Sequence, residues 1–134
     1  MKNYKEGLNK LKEDFETLVN SHPLKWEKVK ELKKVTGVYV IYSGKDVIYV
    51  GSTNNFNVRF GVDLINKSTH TLNNKLLNEK SPEETLDFIK NKCMYKIKDC
   101  KDKVEAECLE HFAISVFEPS YNNHFYKKPG PKKV

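Results

Sequence analysis

Between Gly37 and Gly51 the chain reads GVYVIYSGKDVIYVG, and this stretch constrains the fold more than any other. Two runs rich in β-branched and aromatic residues are separated by Ser43, Gly44 and Lys45 ahead of Asp46, a pattern that predicts a β-hairpin. Alternate residues of a strand share a face, so Gly37, Tyr39 and Ile41 point one way and Val38 and Val40 the other. Tyr49 and Gly51 likewise share a face of the second strand. With the turn at residues 43–45, Tyr39 and Tyr49 come close to being cross-strand neighbours, and their phenols converge on one surface. Gly51 then lets the backbone turn into the segment that follows.

Around the hairpin the period is helical. Leu8, Leu11, Phe15, Leu18 and Val19 recur at three- and four-residue steps, the stripe of an amphipathic helix over 4–20. A second, shorter helix is expected after Pro23, with Leu24, Val29 and Leu32 inward. Past the hairpin, Asn54 or Asn55 caps a helix carrying Phe56, Phe60 and Leu64 on one face, although Gly61 weakens it. THTLNNKLLNEK reads as a short helix with Leu72, Leu76 and Leu77 inward. SPEET, with Ser81, Pro82 and Glu84, is a capping box opening a helix that ends near Asn91. A third strand is expected at 93–99, and Asp102 with Glu105 opens a last helix that runs to Phe117 before Pro119. These elements predict an α+β fold: a small three-stranded antiparallel sheet flanked by helices, preceded by an N-terminal helical extension at 1–34.

The 134 residues suit one domain. No apolar run approaches the roughly 20 residues that span a bilayer, and the charged N-terminus lacks the apolar region of a secretory signal. A cytoplasmic protein that does not engage a membrane is the expectation. Cys93, Cys100 and Cys108 fit neither a disulfide framework nor zinc-ligand spacing and are read as reduced, mostly core residues. The formal net charge is +6, of which four charges sit in the tail KKPGPKKV. Residues 1–126 then carry only +2 and are nearly balanced, with 35–126 the expected domain after the extension. The tail, 127–134, is expected to be a disordered basic arm whose lysines, Lys127 and Lys128 first, touch phosphate.

Of 24 basic side chains, 23 are lysine and one is arginine, Arg59. A lone guanidinium in a lysine-biased chain suggests a task that lysine performs poorly, such as a planar, bidentate grip on phosphate. The competing reading is a solvated ion pair.

Taken together, GVY at 37–39, YVG ten positions later and an arginine eight residues after that glycine resemble the GIY-YIG nuclease domain, with Val for Ile in both tripeptides. The resemblance continues in EAECLEHFAISVFEPSYN and spans about Gly37 to Asn122. It implies a phosphodiester hydrolase acting on DNA with one Mg²⁺ or Mn²⁺ held by a single glutamate. Three glutamates lie on the last helix. Glu105 has a capping task, Glu107 is a step off the apolar stripe, and Glu110 stands twelve residues before Asn122, as the family's catalytic glutamate stands before its asparagine.

The implied chemistry is in-line attack of water on phosphorus, with Glu110 as metal ligand, Tyr39 as general base and Arg59 stabilising charge on the non-bridging oxygens. Tyr49 would position water or phosphate, and Gly51 would lie beside the substrate. Asn122 resembles the asparagine that ties the glutamate helix to the site. His70 resembles a histidine that assists proton transfer in some relatives, while a surface or capping histidine is the competing reading; a second histidine of those relatives is replaced here by Asp63. The alternative function is an inactive relative that binds nucleic acid or a protein. A homodimer is compatible with the sequence.

Overall fold

The computed structural model describes residues 3–66 and 70–122. The hairpin at its centre is β2 (Gly37–Ser43) and β3 (Asp46–Thr53), joined by a two-residue turn in which Gly44 takes φ 64°. β4 (Cys93–Asp99) pairs antiparallel with β2 on its other side. The two faces behave as the alternation requires. Tyr39 and Ile41 enter one core with Phe56, Phe60, Leu64, Leu72 and Tyr95, whereas Val38, Val40 and Val50 enter a second with Leu109, Ala113 and Leu18. Each fully buried large side chain contributes about 1.5–3 kcal/mol, so both faces are strongly specified.

The sheet has a fourth strand that the sequence reading lacked. Leu24 and Lys25 form β1, which pairs with Tyr95 and Met94 of β4, and the order is β1-β4-β2-β3. The expected second helix shrinks to α2 (Trp26–Val29), following α1 (Tyr4–Asn20). The open edge of β4 offers unpaired backbone groups, and pairing with them outweighs the weak helical preference of residues after Pro23. Trp26 is buried and donates its indole N–H to the Phe60 carbonyl at 3.0 Å, fastening this N-terminal segment to the helix that carries Arg59.

The hairpin register also departs from the simple expectation. Tyr39 pairs with Gly51 and Ile41 with Tyr49, because a β-bulge between Ile41 and Tyr42 gives β3 one extra residue. An unbulged ladder continuing from Tyr42 and Val47 would set Tyr39 against Val50 and turn Tyr49 to the other face. The bulge therefore puts both phenols on one side of the sheet.

Asn55, not Asn54, caps α3 (Phe56–Val58), which widens at once into a π-helical turn over Arg59–Asp63 closed by Leu64 N–H to the Arg59 carbonyl at 2.9 Å. The wider turn keeps Phe60 and Leu64 both fully buried while Arg59 faces outward toward the last helix. Two short helices follow, α4 (Thr71–Leu76) and α5 (Pro82–Asp87), and α5 runs into a second π-helical segment, Phe88–Lys92, before β4. Leu72 and Leu76 are buried and Leu77 is half-buried. Ser81 and Glu84 form the reciprocal capping box at 3.0 Å in both directions. α6 (Lys103–Phe117) is capped by Asp102, but Glu105 takes the amide of Lys101 rather than that of the cap residue. Leu109 and Ala113 seat α6 on the Val38 face of the sheet, and Phe15 of α1 meets Phe112 edge-on at 5.1 Å.

Cys93 is buried in one core and half-buried Cys100 packs against the other, as expected, whereas Cys108 is exposed because it lies on the polar side of α6. No helix among the described residues is long and apolar enough to cross a membrane. Lys127, Lys128 and the tail lie outside the described residues.

Candidate active site

The site forms at the end of the hairpin remote from its turn, where β3 runs out toward Arg59. One half is aromatic and lies on the Tyr39 face. Gly51 sits directly opposite Tyr39, whose ring folds over it: a Cβ at Gly51 would stand 2.5 Å from Tyr39 Cζ. Gly37 is constrained in the same way, with a would-be Cβ 2.5 Å from Phe56 Cζ. The glycines of both tripeptides are thus seats for aromatic rings. The sequence reading expected Gly51 to serve a chain turn and the substrate; its place under Tyr39 explains it through packing.

Tyr39 is only 1% exposed, and its hydroxyl lies 2.7 Å from His70 Nε2. His70, 3% exposed, is also the N-cap of α4, with Nδ1 accepting the Leu72 N–H at 3.0 Å. The two contacts fix the tautomer. Because Nδ1 accepts, a neutral ring carries its proton on Nε2 and donates it to the Tyr39 oxygen. Burial, then the charge of Arg59, lowers His70 from 6.5 to about 3, so the ring is neutral near pH 7. Burial is also the main influence raising the Tyr39 phenol well above 10, opposed by the Arg59 charge. Tyr49 lies beside both rings, its centroid 6.2 Å from Tyr39 and 5.1 Å from His70. Burial raises its phenol too, and a hydrogen bond with Thr71 counters this.

The other half is charged: Glu110 comes from the opposite face, and Arg59, on the segment that packs against the Tyr39 face, lies beside α6 at the strand end. Glu110 extends from α6 and accepts the Ser52 hydroxyl at Oε1, 2.7 Å away. Partial burial raises its carboxyl, while the Ser52 hydrogen bond, the His111 side chain and the Arg59 charge work against that rise. Arg59 Nη1 is 3.4 Å from Asp63 Oδ2 one turn on, and Arg59 Nε is buried without a hydrogen-bond partner. Glu105 and Glu107 are occupied differently: Glu105 holds the Lys101 amide, and Glu107 pairs with Lys103 at 3.9 Å.

Asn122 closes the arrangement. Its Oδ1 accepts the Val50 N–H at 2.9 Å and its Nδ2 donates to the Val50 carbonyl at 2.8 Å, while Tyr121 N–H donates to the Ile48 carbonyl at 2.9 Å. β3 is an edge strand, so these bonds satisfy its open side and tie the chain after α6 to the strand bearing Tyr49 and Gly51. The structure thus gathers Tyr39, Tyr49, Gly51, Arg59, His70, Glu110 and Asn122 around one strand end. Sequence reasoning missed Ser52. Its hydroxyl directly follows YVG and alternates onto the Val50 face, but only the seating of α6 shows what it meets.

Among the described residues no group of three or more His, Cys, Asp or Glu side chains is arranged to hold a metal ion. Glu110, with Ser52 engaging only Oε1, still fits a divalent ion: one carboxylate plus waters and a substrate oxygen is a ligand set that Mg²⁺ accepts, and oxygen donors suit Mg²⁺ or Mn²⁺.

Residues 35–122 match the model of the GIY-YIG catalytic domain. The chain belongs to that family. Its fold is similar to the GIY-YIG N-terminal endonuclease domain of UvrC from Thermotoga maritima. A point mutant of that domain bound to its catalytic divalent cation superposes with TM-score 0.54 at 18% identity, covering 73% of this chain and 93% of the other. The same domain bound to magnesium gives TM-score 0.52 at 20% identity, covering 72% and 93%. A search of curated protein sequences found no match.

Proposed function

We propose that this protein is a metal-dependent endonuclease that hydrolyses phosphodiester bonds in DNA. The observation that carries the reading is the meeting of Tyr39, Arg59, His70 and Glu110, drawn from four separate segments, at the end of β3. Family membership and the likeness of the fold to the UvrC endonuclease domain bound to magnesium support it.

Glu110 would hold Mg²⁺ or Mn²⁺ through the oxygen that Ser52 leaves open. A bound divalent ion supplies charge stabilisation at the leaving 3′ oxygen. Arg59 meets the negative charge that grows on the non-bridging oxygens, and Asp63 holds its guanidinium at Nη1. Tyr39 would serve as general base: its phenolate takes one proton from the attacking water as the water oxygen bonds to phosphorus and the bond from phosphorus to the 3′ oxygen breaks, the released 3′ oxygen taking a proton from solvent. Burial opposes that phenolate, and two groups favour it, the Nε2–H of His70 and the positive Arg59. His70 acts as a proton-bearing partner of Tyr39, not as a base, since both of its nitrogens are committed. Tyr49 orients water or phosphate, and Asn122 keeps β3 aligned with α6.

Nicking of supercoiled plasmid in Mg²⁺ tests the proposal. Wild type is expected to give open circles, EDTA to stop the reaction, and Glu110→Ala to lower the rate by about 10³-fold. Equal cutting by Glu110→Ala would remove the basis of the assignment, and DNA binding without any cutting would return the protein to the class of inactive binders.

A further inference from the structure

Beside the catalytic groups lies a small cavity of about 210 Å³, lined by Ser52, Thr53 and Asn54 at the end of β3, Arg59 on the π-helical turn, and Lys103 and Glu107 on α6. We propose that it is a subsite for a DNA backbone phosphate flanking the scissile one, with Lys103 as its cation. This inference rests on the nuclease reading and names how the substrate strand is held.

The lining decides the chemistry of the occupant. Two cations and an amide face one carboxylate, while the Ser52 and Thr53 hydroxyls already donate to Glu110 and to the Asn55 carbonyl, so it is the two cations that suit the wall to an anion. Among the described residues no aromatic one lines it, which argues for sugar-phosphate rather than an everted nucleobase. The volume is below the roughly 300 Å³ at which pockets for drug-sized ligands begin. Arg59 lines the cavity and has its Nε buried without a partner, so the guanidinium is only partly satisfied by Asp63.

Position points to a flanking phosphate. Lys103 precedes Glu110 by seven residues on α6, which places it about 10 Å along the helix axis. A DNA strand advances 3.4 Å per nucleotide, so a strand crossing Glu110 along α6 brings a phosphate within about three nucleotides of the cut to Lys103. The lysine is available for this. Its side chain is 68% exposed and its partner Glu107 stands 3.9 Å away. An exposed pair of that kind is weak and can be exchanged for a phosphate contact. Glu107 would act as a brake, since it competes for Lys103 and repels the phosphate.

The test is metal-free binding of a short duplex in EDTA, followed by fluorescence anisotropy across a salt series, for wild type and three variants. Lys103→Ala is expected to bind several-fold more weakly and to reduce the slope of log K against log [salt] by about 0.9, the loss of one phosphate contact. Glu107→Gln is expected to bind more tightly. Lys45→Ala, at the hairpin turn about 25 Å along β3 from the cavity, is expected to match wild type. A wild-type slope in Lys103→Ala, or an equal fall in Lys45→Ala, would overturn the subsite. If wild type nicks plasmid while Lys103→Ala keeps its slope, only the subsite falls; if wild type neither binds nor cuts DNA, the nuclease reading falls with it.

Discussion

The two halves of the site are built differently. On one face of the sheet Tyr39 and His70 are nearly inaccessible, their polar atoms paired with each other and with a helix amide. Glu110, from the α6 face, and Arg59, at the strand end beside it, are partly exposed, and Arg59 Nε has no hydrogen-bond partner. The aromatic half is set during folding, by the same packing that forms the core. The charged half is open, and in the proposed function its partners are an ion and a phosphate. Low dielectric around the phenols makes their protonation sensitive to small changes in neighbouring charge, whereas the exposed half can exchange water for substrate.

Replacing the guanidinium should damage the charged half most. Arg59→Lys keeps the charge and loses the planar fork, and the nicking rate is expected to fall by about 10²–10³-fold while the melting temperature changes little. A rate within threefold of wild type would mean that Arg59 serves only as a point charge. The aromatic half is most vulnerable at Gly51, because a methyl there collides with the Tyr39 ring. Gly51→Ala is expected to lower stability by about 1–3 kcal/mol in urea unfolding and to reduce activity alongside it. Unchanged stability would show that Tyr39 swings aside freely, against the picture of a rigid aromatic half.

A smaller effect should link the halves to the ion. Ser52→Ala frees Glu110 Oε1, and the half-saturating Mg²⁺ concentration is expected to rise about tenfold, with recovery in Ser52→Thr. Equal Mg²⁺ dependence in Ser52→Ala would make that hydrogen bond incidental. Smallest at neutral pH is the contribution of His70 to acid sensitivity. Its folded pKa, about 3, lies below the ordinary 6.5, so the unfolded chain binds the extra proton between those values. Stability is therefore fully present above pH 6.5 and falls by about 1.4 kcal/mol per unit as the pH drops toward 3. The fall should be shallower in His70→Asn, which cannot titrate, and parallel curves would remove the histidine from the account.

Much of this molecule was legible locally. The alternation of GVYVIY and DVIYVG announced the hairpin, SPEET announced a helix start, and the solitary Arg59 stood out against 23 lysines. Leu24 and Lys25 were missed because two residues carry no period, and their strand exists only through pairing with β4. The Ser52–Glu110 bond was missed because its partners are 58 positions apart.

The amino-acid order alone determined which groups the protein has for chemistry and which strand or helix carries most of them, since period, caps and turn residues act over a few positions. The fold decided their company. The shared face of the two phenols was expected, but a bulge at Ile41 and Tyr42 set the register that achieves it, and only the seating of α6 brought Glu110 to Ser52. Register and helix docking depend on contacts between distant segments, which no local pattern encodes.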